Sequence, residues 1–101
     1  MKTAPQRDLV LEIEQVRVVR RRIETSLFFC RECGRSTYFI ELVRAAELFG
    51  LTNPELYEFV QTNRCHFMVA SGGEICVCVT DLLAAMSRRL KTARFKLMEK
   101  G

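Results

Sequence analysis

Cys30-Arg31-Glu32-Cys33-Gly34 constrains this chain more than any other segment. Two thiolates three positions apart can converge on one ion while the backbone turns. Gly34 can take the left-handed conformation that closes such a turn. This knuckle supplies two ligands, and a structural zinc takes four. Cys65-His66 and Cys76-x-Cys78 are the segments that can supply the others. The fold must then carry the knuckle to a hairpin far down the chain.

The hairpin fixes which residues can meet. Ser71-Gly72-Gly73 is a turn between two apolar runs, Cys65–Val69 and Glu74–Val79. A three-residue loop pairs Ala70 with Glu74 and, counting outward, His66 with Cys78. Directly opposed residues on one face have Cβ atoms about 5 Å apart, which suits two ligands of one metal. Cys30, Cys33, His66 and Cys78 then form a Cys3His set for zinc, with Cys76 on the same face as a reserve ligand and Cys65 next to His66. A two-residue loop sends His66 and Cys78 to opposite faces, and the four residues become small buried groups of a β core. A thioredoxin-type dithiol is a poor fit, because Gly34-Arg35-Ser36-Thr37 does not open a helix well.

With 101 residues the chain is one small domain whose core is thin, so a metal or a partner surface would help it. Five cysteines without a signal-peptide-like start indicate a cytoplasmic protein with metal-ligating or buried thiols in place of disulfides. The charge is unevenly spread. Residues 1–35, 36–81 and 82–101 carry about +3, −4 and +5, so basic ends flank an acidic middle.

Residues 1–8 read as a flexible start. Residues 9–35 read as a β segment ending in the knuckle, with a change of phase near Gln15 that predicts a bulge or a bend and an interruption at Arg20-Arg21-Arg22, so that a long bent strand and a hairpin both fit. Residues 36–90 read as a compact helical core. A first helix carries Ile40, Val43, Ala45, Ala46 and Leu48 and stops at Gly50. A second opens at Thr52-Asn53-Pro54 and buries Leu56, Phe59 and Val60. After the hairpin, Asp81 is expected to cap a last helix starting at Leu82. Leu83, Met86, Leu90, Ala93 and Leu97 then step by three and four, which predicts a basic helical extension over 91–101 with an apolar seam. That seam, or the N-terminal strands, would join two copies or another protein. The order of elements predicts an α+β fold: a small winged helix-turn-helix with an N-terminal β segment and a C-terminal helix.

The runs Ala45-Ala46-Glu47-Leu48-Phe49-Gly50-Leu51-Thr52, Leu56-Tyr57-Glu58-Phe59-Val60 and His66-Phe67 resemble the MerR/excisionase-like DNA-binding proteins. The similarity is greatest to short bacterial members with an upstream Cys-x-x-Cys-Gly, and covers roughly residues 28–83. It implies a helix-turn-helix fold, DNA as partner, and metal-ligand equivalents at residues 30, 33, 66 and 78. The chain departs from that pattern on the second helix: Pro54 holds the position where such proteins commonly place arginine, its neighbours are Asn53 and Glu55, and the next outward position is Glu58.

Phosphate contact therefore falls to the basic ends, to Arg20, Arg21, Arg22, Arg88, Arg89 and Lys91. The arginine run can equally be a charged strand edge that discourages aggregation. With a single histidine and no phosphate-cradling glycine loop, no enzymatic reading arises. The expected function is a small non-enzymatic DNA-binding or regulatory module; the alternative is a protein-binding adaptor built on the same fold.

Overall fold

The computed structural model describes residues 6–99. The first two strands are β1 (Gln6–Glu14) and β2 (Val18–Cys30). They pair antiparallel in one register from Gln6 opposite Ser26 to Glu14 opposite Val18, so the phase change near Gln15 is a hairpin turn. Residues 1–5 of the expected flexible start lie outside the described residues, and Gln6–Asp8 belong to β1. After the knuckle the chain returns as β3 (Arg35–Glu41), then runs through α1 (Leu42–Phe49), α2 (Asn53–Thr62), β4 (Phe67–Val69), β5 (Ile75–Cys78), α3 (Val79–Arg89) and β6 (Arg94–Glu99).

These elements form one six-stranded antiparallel sheet, ordered β4-β5-β3-β2-β1-β6, with three helices. The expected winged helix-turn-helix with a C-terminal helix does not form. Two segments decide this. Arg35–Glu41 is a central strand that joins the hairpin sheet to the N-terminal sheet. Arg94–Glu99 is an edge strand paired with β1, in place of a helical extension over 91–101.

Helix boundaries follow local chemistry. Gly50, at φ 68°, stops α1, and the amides of Gly50 and Leu51 bond back to the carbonyls of Glu47 and Ala46. Thr52 caps α2 in a reciprocal capping box with Glu55, and Pro54 lies in the first turn. The same kind of C-terminal closure ends α2: Arg64 N–H bonds to Gln61 and Cys65 N–H to Val60. Here the left-handed position is held by Arg64, at φ 53°, where α1 uses glycine. The last helix starts earlier than expected, at Val79, with Cys78 as its N-cap residue and no side-chain cap. Asp81 is in its first turn and is engaged elsewhere.

The sheet has a core on each side. On one face Leu9, Leu11, Ile23, Ile40 and Val77 pack with Ala45, Leu56, Val60, Leu82 and Met86 from the helices. Complete burial of a side chain such as Leu56 or Leu82 stabilises the fold by about 1.5–3 kcal/mol. Ala93 is buried, and Leu83, Leu90, Phe95 and Leu97 pack against this core, so the apolar seam is absorbed within the domain. On the opposite face a smaller cluster gathers Cys30, Phe39, Cys76 and Cys78, flanked by Phe28, Cys33 and Met68. Alternation along the strands explains the division: Ile40 and Val77 are paired neighbours, as are Phe39 and Cys78 one position away.

Candidate metal centre

Four elements converge on the smaller cluster. Cys30 is the last residue of β2. The chain then turns tightly, with Gly34 at φ 71° and its amide donating to the Cys30 carbonyl at 2.8 Å, which swings Cys33 back beside Cys30. Cys78 ends β5, next to β3. His66 precedes β4, and the amide of Cys78 donates to the His66 carbonyl at 2.9 Å. That bond, with Ala70 N–H to the Glu74 carbonyl at 2.8 Å, is the register of the three-residue loop and sets His66 across from Cys78.

The donor atoms of Cys30, Cys33, His66 and Cys78 all lie within 4.8 Å of one another. His66 Nδ1 is 3.5 Å from both Cys30 Sγ and Cys33 Sγ, and Cys33 Sγ is 3.9 Å from Cys78 Sγ. A zinc ion about 2.3 Å from sulfur and about 2.0–2.1 Å from nitrogen spaces its tetrahedral ligands by roughly 3.5–3.8 Å, so these separations fit one ion held by four protein groups. Cys30 and Cys78 are buried, while Cys33 and His66 are half-buried. Burial pushes the Cys30 and Cys78 thiols up from their ordinary value. An ion must therefore displace protons from these sulfurs, and its binding is coupled to pH.

A fifth residue completes the arrangement. Asp81 Oδ2 accepts the backbone amide of His66 at 2.9 Å and lies 3.9 Å from His66 Nε2. With Nδ1 turned to the sulfurs, Nε2 is the nitrogen left for the carboxylate, the outer partner that a metal-bound imidazole usually has. Sequence reading gave Asp81 a helix-capping role. The signal available was its spacing, since a residue in the first turn after Cys78 returns toward the strand that α3 leaves.

The other two cysteines stand apart. Cys76 is buried in the smaller cluster but outside the four-residue group, and Cys65 packs into the helix-side core. Desolvation pushes the Cys65 thiol up to about 11, which keeps it protonated and inert.

The residues expected to meet nucleic acid do not form one strip. Arg20 and Arg22 share a face of β2 and are ion-paired, Arg20 with Glu12 at 2.9 Å and Arg22 with Asp8 at 2.6 Å. Arg21 points to the other face, beside α1. Arg88 and Arg89 lie in the last turn of α3, where Arg89 sits 5.5 Å from the centre of the Phe59 ring; Lys91 follows in the turn before β6. Yet the pairing of β1 with β6 places both basic segments in one half of the sheet, with Lys96 opposite Glu12 and Arg94 opposite Glu14.

Comparison with protein-family models, with curated proteins and with solved structures finds no match. Among the described residues, no helix is long and apolar enough to cross a membrane.

Proposed function

We propose that this chain is a small non-enzymatic nucleic-acid-binding or regulatory module whose sheet is clipped by a structural zinc ion. Zinc is favoured by three thiolates and an imidazole at tetrahedral spacing. Four protein ligands leave no open position for a substrate or an activated water, so the ion serves folding. It ties the end of β2 to the β4–β5 hairpin. The only histidine is committed to this cluster, which leaves no imidazole for acid–base chemistry.

The pairing of β1 with β6 carries the binding half of the reading. It joins the basic start and the basic end of the chain, with the acidic middle forming most of the remainder. Lys91, Arg94 and Lys96 come beside the β1–β2 hairpin and its Arg17 and Arg20, and a concentration of cations is the usual source of affinity for phosphates. A gel-shift of the zinc-loaded protein with duplex DNA across a salt series tests this. Binding should weaken steeply with salt, and Lys91→Glu with Arg94→Glu should remove most of it. Equal binding by that double variant would overturn the assignment of the surface.

A second reading, a protein-interaction adaptor, is favoured by the ion pairs of Arg20 and Arg22. Glu12 and Asp8 compete with any phosphate for those guanidinium groups. No salt-sensitive DNA binding at physiological ionic strength would select this reading.

A further inference from the structure

Most of β2 has a neighbour on one side only. Val18–Thr25 pair with β1, whereas β3 joins β2 only from Ser26 to Cys30 and then departs into α1. Among the described residues nothing pairs with the other edge of that stretch. Every second residue along it therefore directs a backbone N–H and C=O outward. Such an edge is normally covered or disguised, because it can template another strand.

Here the edge forms one wall of a cleft. Its lining runs from Arg21, Arg22, Ile23 and Glu24 on β2, past Ile40, to Arg44, Glu47 and Leu48 of α1, and encloses about 360 Å³. Ile23 and Ile40 are buried at its floor and Leu48 is half-buried. A strand edge facing a helix across an apolar floor is the setting in which an extended peptide adds to a sheet: main-chain bonds supply affinity and alternate side chains supply selectivity.

The charges choose the occupant. Arg22 is paired with Asp8, and Arg44 lies 3.8 Å from Glu24 and 3.7 Å from Glu41. Two charges of the cleft have no ion-pair partner among the described residues: Arg21, on the cleft side of β2, and Glu47, on α1. A second copy of this chain, added antiparallel about Arg21, would set that unpaired guanidinium against its own equivalent. We infer that the open edge of β2 and the facing side of α1 form a docking groove for an extended segment of a partner protein, with apolar residues toward Ile23 and Leu48 and a carboxylate toward Arg21. This groove is separate from the β1–β6 surface and does not depend on the nucleic-acid reading.

Amide chemical-shift mapping of the full, zinc-loaded chain tests it, with the end-capped hexapeptide Thr-Val-Thr-Glu-Thr-Val as probe, whose valines and glutamate are two residues apart and so share the face of Ile23 and Arg21. The shifts should concentrate on residues 18–24 and 44–48. The same peptide with lysine for glutamate should bind more weakly, and N-methylation of alternate residues should abolish binding on the methylated edge. Arg21→Glu should weaken the glutamate peptide about fivefold, the worth of one exposed charge pair, while the amides of Leu56 and Val77 report an unchanged core. Lys91→Glu should leave peptide binding unchanged. Three results would overturn the proposal: no shifts along β2 at millimolar peptide, equal binding of the lysine peptide, or displacement of the same amides by a duplex oligonucleotide but not by the peptide. The last would make the groove a phosphate surface.

Discussion

The Asp81 carboxylate oxygen that accepts the His66 backbone amide at 2.9 Å lies 3.9 Å from the far nitrogen of the His66 ring. One side chain thus holds the loop that presents the imidazole and sets a negative charge beside Nε2. Asp81→Asn keeps an acceptor for the amide but removes the charge from Nε2. The variant should fold with zinc yet hold it about tenfold or more weakly, as read by competition with a chromophoric chelator. An affinity equal to wild type would confine Asp81 to the backbone bond.

The protein purified without chelator should contain about one zinc per chain by elemental analysis. Cys33→Ser should lose the metal and a large part of the thermal stability, because binding energy at such a site is folding energy. Cys65→Ser should retain the metal, since Cys65 lies in the other core. Zinc retained by Cys33→Ser but lost by Cys76→Ser would show that Cys76 takes over the fourth position.

The grouping of Cys30, Cys33, His66 and Cys78 was readable because it depends on counting. Loop length fixes the hairpin register, and register decides whether His66 faces Cys78. The β1–β2 hairpin was half legible: the change of phase near Gln15 marks the break, but a long bent strand fits it as well. The central strand was not legible. Arg35–Glu41 is covered on both sides, with Thr37 and Phe39 buried toward one face and Ile40 toward the other, so its apolar residues do not alternate with polar ones. The last strand failed for another reason. Ala93 and Leu97 are four apart and satisfy both a helical and a strand period; Phe95, midway between them, belongs to the strand pattern alone. With those two segments taken as helical, the sheet was lost and a wing was all that remained. Asp81 was misassigned because a carboxylate in a first helical turn has an adequate local explanation.

The capping box of α2 predicts a pH effect. The Thr52 amide and hydroxyl hold the Glu55 carboxyl below its ordinary value of 4.5. A depressed folded value means that the ionised form stabilises the native state. Its contribution is complete above the unfolded value and disappears as pH falls through the folded one. Glu55→Gln should therefore lower the melting temperature near neutral pH, and the difference should shrink progressively as pH falls below 4.5. A difference independent of pH would mean that the charge is not what matters.

Arg64 occupies a position that suits glycine. Its φ of 53° closes α2 as Gly50, at 68°, closes α1. A side chain in that conformation costs on the order of 1 kcal/mol, so Arg64→Gly should stabilise the domain by about 0.5–1 kcal/mol in denaturant titrations. A loss of stability would show that the Arg64 side chain makes a contact worth more than its strain.

The place of β6 at the edge of the sheet also bears on how the protein is made. β1 is synthesised well before β6, and its outer edge stays bare until Arg94–Glu99 have been made. The knuckle and its hairpin are complete by residue 78, so metal capture can precede closure of the opposite half. In the interval, Leu9, Leu11 and Ile13 lack Phe95 and Leu97 beside them. Such an incomplete sheet is open to pairing with other nascent chains. Truncation near Leu90 is therefore expected to yield a zinc-loaded but aggregation-prone fragment, because β6 is the strand that closes the exposed edge of β1.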